Sequence, residues 1–301
     1  MVLLIIILSV AILFILASYI FAAKVIYPKR FGVEETFEIE KENGKLDEKL
    51  FNSWEKEEVS LVSPFGYRVF GFYFPARGSR KTVILSHGIT YTLYGSVKYM
   101  KMFMDQGFNV FIYDNRFHGR SGGPNATLGF YEKLDLKMVT DWVEAKNGAG
   151  SIIGTHGESM GAAISLQHAA IDPRIKFVIE DCSFNRLDTL LAHRLKEDYH
   201  LPRYPLLPMV ELICNILTGM ILKEVSPEDV VSRISAPVLF IHGEKDDFIP
   251  AWMVEKLAAK KNIGPKEIYI AANAGHAESY WTDPKKYANV VLKFLQSNSI
   301  I

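Results

Sequence analysis

The stretch Ser151–Ala170, SIIGTHGESMGAAISLQHAA, decides the fold. Before Gly157 it is a short apolar, β-branched run of the kind that forms a buried strand; after Met160 it is rich in Ala and Ile with helical character. Gly157, Ser159 and Gly161 occupy alternate positions where the strand hands over to the helix. A sharp strand-to-helix turn strains its central residue and crowds the positions two before and two after, which therefore carry no side chain. Ser159 is thus presented at the carboxyl end of a strand, with the free N–H groups and positive dipole end of a helix behind it. By chance alone a G-x-S-x-G match arises in roughly one in ten chains of this length, so the motif counts only through this context.

Working outward, short apolar runs bounded by Gly, Pro and Asn recur at EEVSLVS, YRVFGFYF, KTVILS, FNVFIYD, SIIGTH, IKFVIED, PVLFIHG and KEIYIA. The first two are joined by a Pro-Phe-Gly turn, which suggests an antiparallel start. Helix-length segments at 96–106, 131–146, 161–171, 252–261 and 284–296 separate most of the others. Strand–helix alternation of this kind predicts an α/β domain with a mostly parallel sheet covered on both faces. In such sheets sites form outside the carboxyl ends of the strands.

A serine hydroxyl is a weak nucleophile at neutral pH and needs a base and an orienting acid. Both are expected later in the chain, in the order Ser, acid, His. LFIHGEKDDFIP supplies Asp246 and Asp247 just beyond a strand, and IYIAANAGHAESY supplies His276 beyond the next. The H-G-x-x-D spacing favours Asp246 over Asp247. Asp181, at the end of an intervening strand, is a third candidate.

Composition excludes other classes. The 301 residues are 49% hydrophobic, enough for one large core. Lys plus Arg and Asp plus Glu are both 34, so no net field attracts nucleic acid. Cys182 and Cys214 are too few for a disulfide framework and lack zinc spacing. His87, His118, His156 and His242 likewise lack a local metal-ligand pattern, and no metal site is expected.

Val2–Ala23, VLLIIILSVAILFILASYIFAA, is uncharged and long enough to cross a hydrocarbon core of roughly 30 Å. It reads as a transmembrane anchor rather than a cleaved signal peptide, because no basic n-region precedes it and no A-x-A site follows. Lys24, Lys29 and Arg30 just after the span place the globular part on the cytoplasmic side of a cell membrane, single-pass. Nothing in the span bears on the triad, so activity is expected to survive its removal. The expected organisation is residues 1–30 as anchor and flank, 31–56 as a solvated connector or ornamental first strand, and 57–301 as the catalytic domain. About fifty residues between IKFVIEDCS and PVLFIHG exceed an ordinary connection, and a helical lid is expected at about 184–231. Leu190, Leu191, Leu206, Leu207, Met209, Ile213, Leu217 and Met220 are its candidates for an apolar acyl wall.

Five blocks, SHG (Ser86 to Gly88), YDNRFHGRSGG, HGESMGA, HGEKDDFIP and AGHAES, resemble segments of the α/β-hydrolases. The nearest resemblance is to the bacterial membrane-anchored branch that is serine aminopeptidase-like or cinnamoyl-esterase-like. Phe117 departs from the pattern, since many relatives carry Gly there. The resemblance implies an α/β-hydrolase fold with an eight-stranded type of sheet. It implies Ser159 as nucleophile, His276 as base then acid, Asp246 as orienting carboxylate, and the backbone N–H groups of Ile89 and Met160 as the oxyanion hole. Glu158 reads as a structural or rim residue, with Asp181 and Glu180 as further acids beside the site. The chemistry needs no cofactor. Expected substrates are small acyl compounds, esters foremost, with a serine peptidase and a noncatalytic binding protein as the alternatives.

Overall fold

The computed structural model describes residues 1–301. Its centre is one eight-stranded sheet in the order β1-β2-β4-β3-β5-β6-β7-β8. The strands are β1 (Glu57–Val62), β2 (Arg68–Phe74), β3 (Lys81–Ser86), β4 (Asn109–Tyr113), β5 (Ile152–Glu158), β6 (Ile175–Asp181), β7 (Val238–Gly243) and β8 (Lys266–Ala271). β2 runs antiparallel to both neighbours, and every other pair is parallel. The sequence expectation of an antiparallel start followed by a parallel sheet therefore holds.

Helices α1 (Val2–Ile26), α2 (Val33–Glu42), α3 (Glu48–Ser53), α4 (Val97–Met104), α5 (Glu132–Asn147), α6 (Met160–Ala169), α7 (Leu187–Tyr199), α8 (Leu206–Thr218), α9 (Pro227–Val230), α10 (Trp252–Lys260), α11 (Ser279–Thr282) and α12 (Pro284–Ser297) complete the chain. Side chains alternate across a strand, and the two faces of the sheet bury two separate cores. Ile84, Val178 and Phe240 pack with α5, α6 and α10; Val83, Leu85, Phe177, Ile179, Leu239 and Ile241 pack with α4 and α12. Continuous apolar strands such as KTVILS follow from burial on both faces.

Residues 31–56 are neither extended nor merely solvated. They form α2 and α3, with Asp47 Oδ1 accepting the Leu50 N–H at the head of α3. Leu46 and Phe51 are buried in the core shared with α4 and α12. The alternation of charges in this stretch hid a helix pair that needs only a few apolar contacts to dock.

Only the C-terminal part of α1 meets the body. Ser18, Ala22 and Ile26, four residues apart, are buried and face α8, while the first seventeen residues are almost wholly exposed. The next turn is fastened by backbone bonds, Ala126 N–H to Ile26 O (3.0 Å) and Phe31 N–H to Thr90 O (2.8 Å).

Candidate active site

Ser159 is the turn between β5 and α6, with φ 54° and ψ −114°. A left-handed backbone at a residue with a Cβ costs on the order of 1–3 kcal/mol and persists only where the surroundings over-determine it. Here the Ser159 N–H donates to Asp181 O at 2.7 Å. A Cβ on Gly157 would lie 2.1 Å from Gly161 O, and one on Gly161 would lie 2.0 Å from Ser86 O. The two glycines are thus required by backbone contacts on either side of the serine.

Ser159, His276 and Asp246 lie in one hydrogen-bonded row. Ser159 Oγ is 3.0 Å from His276 Nε2, and His276 Nδ1 is 2.8 Å from Asp246 Oδ2. An ionised carboxylate only accepts, so Nδ1 carries the proton and Nε2 is left to accept from the serine hydroxyl. Asp246 Oδ1 accepts the Phe248 and Ile249 N–H groups at 3.0 and 2.8 Å. Burial pushes this carboxyl up, but the bonds to His242 and His276 and to the backbone outweigh it and hold its pKa at about 2. The loop after β7 therefore supplies a rigid, ionised acceptor.

Neither of the other acid candidates is bonded to His276, whose Nδ1 pairs with Asp246. Asp247 offers its carbonyl to Arg194 at 2.8 Å. Asp181 Oδ2 sits 3.4 Å from Tyr99 Oη, and burial followed by the neighbouring Glu158 raises its pKa to about 6. Glu180 is buried beside it and pushed up to about 8 by burial, with the Ser183 N–H on one oxygen.

Met160 is the first residue of α6, so its N–H has no acceptor within the helix. The Ile89 N–H, in the loop after β3, donates to no protein acceptor. That loop is held by Asn115, whose N–H donates to His87 Nε2 at 2.9 Å while its side-chain amide donates to His87 O at 3.1 Å. His87 is uncharged, driven down to about 3 by burial and by His118. His118 and His242 bond backbone carbonyls of Arg116 and Ile249, and His156 pairs with Tyr287 Oη.

Cys182 Sγ shares a space within 4.8 Å with donor atoms of Asp246 and His276. Burial, followed by the charge of Asp181, pushes the thiol well above its ordinary range. A metal ligand must be a thiolate, and the Asp246 and His276 atoms are already bonded to each other, so the group does not fit a metal ion.

Two cavities meet at Ser159. The first, about 220 Å³, is lined by Ile89, Met160 and Phe184, by Leu187, Leu190, Leu191 and Leu195 of α7, and by Leu207 and Val210 of α8. Phe21, Lys24 and Val25 of α1 complete its wall. Leu190, Leu191 and Leu207 are where the sequence expects an apolar wall; Leu206, Met209, Ile213, Leu217 and Met220 do not line it. None of these three residues belongs to the row itself, but their place on the cavity wall is a contribution of α1 that the sequence reading did not anticipate.

The second cavity, about 420 Å³, is polar and is bordered by Glu40, Lys45, Lys98, Glu158, His276 and Glu278. Lys98 Nζ is 2.6 Å from Glu158 Oε2, which also accepts from Tyr99 Oη at 2.5 Å. Burial acts to strip the Lys98 proton, but Glu158 outweighs it and raises the pKa. Glu40 comes from α2 and is pushed up to about 7 by burial, against the opposing charge of Lys98. Sequence reasoning named Glu158 but missed Glu40, whose approach depends on the docking of α2.

Phe117, the departure noted in the sequence, has φ 68°. Glycine adopts that backbone without cost. Here the Arg30 guanidinium lies 3.8 Å from the Phe117 ring centre and donates to its carbonyl, so the phenyl ring docks the segment that follows α1.

Comparison with known proteins agrees with this architecture. Residues 77–197 match the sequence family described as serine aminopeptidase, S33. The uncharacterized protein YqkD of Bacillus subtilis is 39% identical over 280 residues, 92% of each chain. The solved Pyrococcus furiosus esterase Pf2001 superposes with a TM-score of 0.69 at 25% identity, over 81% of this chain and 92% of that one. The α/β hydrolase GrgF from a Penicillium species shares the fold, with a TM-score of 0.63 at 20% identity over 82% of this chain and all of that one. The chain belongs to the α/β-hydrolase superfamily.

Proposed function

We propose that the protein is a membrane-anchored serine hydrolase that cleaves carboxylic esters of apolar acyl groups through an acyl-enzyme on Ser159. The observation that carries this reading is the row Ser159–His276–Asp246, with contacts of 3.0 and 2.8 Å, whose Ser159 lines an apolar cavity. Ser159 Oγ attacks the acyl carbonyl while His276 Nε2 takes its proton. Asp246 stays ionised and stabilises the imidazolium. The oxyanion is received by the N–H groups of Met160 and Ile89, each worth about 3–4 kcal/mol of barrier. His276 then protonates the departing alcohol, and water repeats the sequence to free the acid. The three side chains, the two backbone N–H groups and one water account for every bond and proton in this cycle, so no cofactor is invoked.

We read residues 184–231 as the lid over the acyl cavity and 57–301 as the catalytic domain. Residues 1–30 form the anchor and its flank. Lys24, Lys29 and Arg30 favour a cytoplasmic catalytic domain.

The serine aminopeptidase description favours a second reading, with Glu40, Glu158 and Glu278 receiving a substrate ammonium group. Against it, the Glu158 charge is already matched by Lys98 at 2.6 Å, and Glu40 is half-neutral near pH 7. The test is kcat/KM for p-nitrophenyl acetate, butyrate and octanoate beside leucyl p-nitroanilide. Turnover should rise with acyl length, by up to about 0.8 kcal/mol per methylene until the cavity is full. A preference for the anilide would instead establish the peptidase.

A further inference from the structure

The anchor helix is part of the substrate wall. Phe21, Lys24 and Val25 line the same cavity as Ser159, and on the adjoining face of the helix Ser18, Ala22 and Ile26 are buried, with α8 packed against α1. At 1.5 Å per residue, a span of roughly 30 Å needs about 20 residues, so a bilayer crossed by α1 from its N-terminus ends near the turn that enters the cavity wall. The neighbouring surface has the composition of a membrane interface. Tyr19 and Tyr27 are exposed on either side of this turn, and Lys24 Nζ donates to the exposed Tyr199 Oη at 2.9 Å. On α8, Leu212 and Ile216 are 50% and 71% exposed and belong to neither cavity.

We propose that α8 lies in the membrane interface beside α1 and that the acyl cavity is filled from the bilayer. The substrate class is then a membrane-resident, single-chain acyl ester with a polar head. The chain follows α1 into the apolar cavity, and the head enters the polar cavity beside Glu40, Lys45 and Lys98. The bilayer is the occupant of the exposed α8 face because α8 packs on α1 where the span ends, with Cys214 Sγ 4.0 Å from Ala22 O and Leu212 and Ile216 turned away from that contact. Buried apolar area on such a helix adds to membrane binding. This inference rests on the ester-hydrolase reading above.

The full chain is reconstituted into phosphatidylcholine vesicles containing monooleoylglycerol, and oleate release is measured beside hydrolysis of soluble p-nitrophenyl butyrate in the same sample. The wild type should cleave both. Leu212→Glu/Ile216→Glu should lower monooleoylglycerol turnover at least tenfold relative to butyrate turnover. Loss of both activities in equal measure, or no loss of either, would overturn the inference, as would a wild type that cleaves only the soluble ester. A wild type inactive on both esters would instead overturn the ester-hydrolase reading on which it rests. Independently, Ile216→Trp should show fluorescence quenched by a nitroxide placed high on the lipid acyl chain; an unquenched signal would contradict the placement of α8.

Discussion

The two cavities that share Ser159 are built by opposite strategies. The apolar one is walled by α1, α7 and α8, elements outside the sheet that meet through leucine and aromatic side chains. The polar one is bordered by the loops after β3 and β8 and by α4, with charges fixed by close partners such as the 2.6 Å Lys98–Glu158 pair. Removing one partner of such a buried pair costs about 3–5 kcal/mol, whereas an apolar wall accommodates a change of shape or chain length more gradually. On the proposed ester-hydrolase reading, the apolar cavity would grip the acyl group and the polar one would receive the group that leaves.

After loss of the nucleophile itself, the largest expected effect lies in the acid behind His276. Asp246→Asn keeps the side-chain shape, but its amide favours the opposite tautomer of His276. It should lower kcat by about 10⁴ for short and long esters alike. A loss confined to long esters would place Asp246 in the acyl grip instead of in the orientation of His276. The next effect sharpens the contrast between the cavities. Leu191→Trp fills part of the apolar wall, and displacing about two methylenes should cost ~1.6 kcal/mol. The octanoate-to-acetate ratio of kcat/KM should then fall about fifteen-fold. An unchanged ratio would assign the acyl group to the polar side.

The row Ser159–His276–Asp246 was legible as a candidate because its parts are local. Each of Ser159, Asp246 and His276 follows a strand, and the sheet order brings β5, β6, β7 and β8 side by side, so three loop motifs far apart in sequence converge. The glycines around Ser159 have steric reasons that depend on the turn alone. Glu40 and the α1 contribution to the wall were not legible, because both arise from how one helix docks on another. In α2 and α3 the signal was slight: an Asp47 cap and isolated Phe37 and Phe51 among charges. In α1 a uniformly apolar sequence gives no phase, so nothing marked the face carrying Phe21 and Val25. Of the eight leucine, isoleucine and methionine positions proposed for the acyl wall, only Leu190, Leu191 and Leu207 line the apolar cavity, because composition does not say which face a helix turns inward.

The most direct test of the account is covalent. Full-length protein treated with a fluorophosphonate and analysed by peptide mass spectrometry should carry a single adduct, on Ser159, and Ser159→Ala should carry none while losing roughly 10⁴–10⁶ of esterase activity. An adduct on another residue, or a Ser159→Ala protein that labels and turns over ester as the wild type does, would contradict the claim that the two cavities serve one nucleophile.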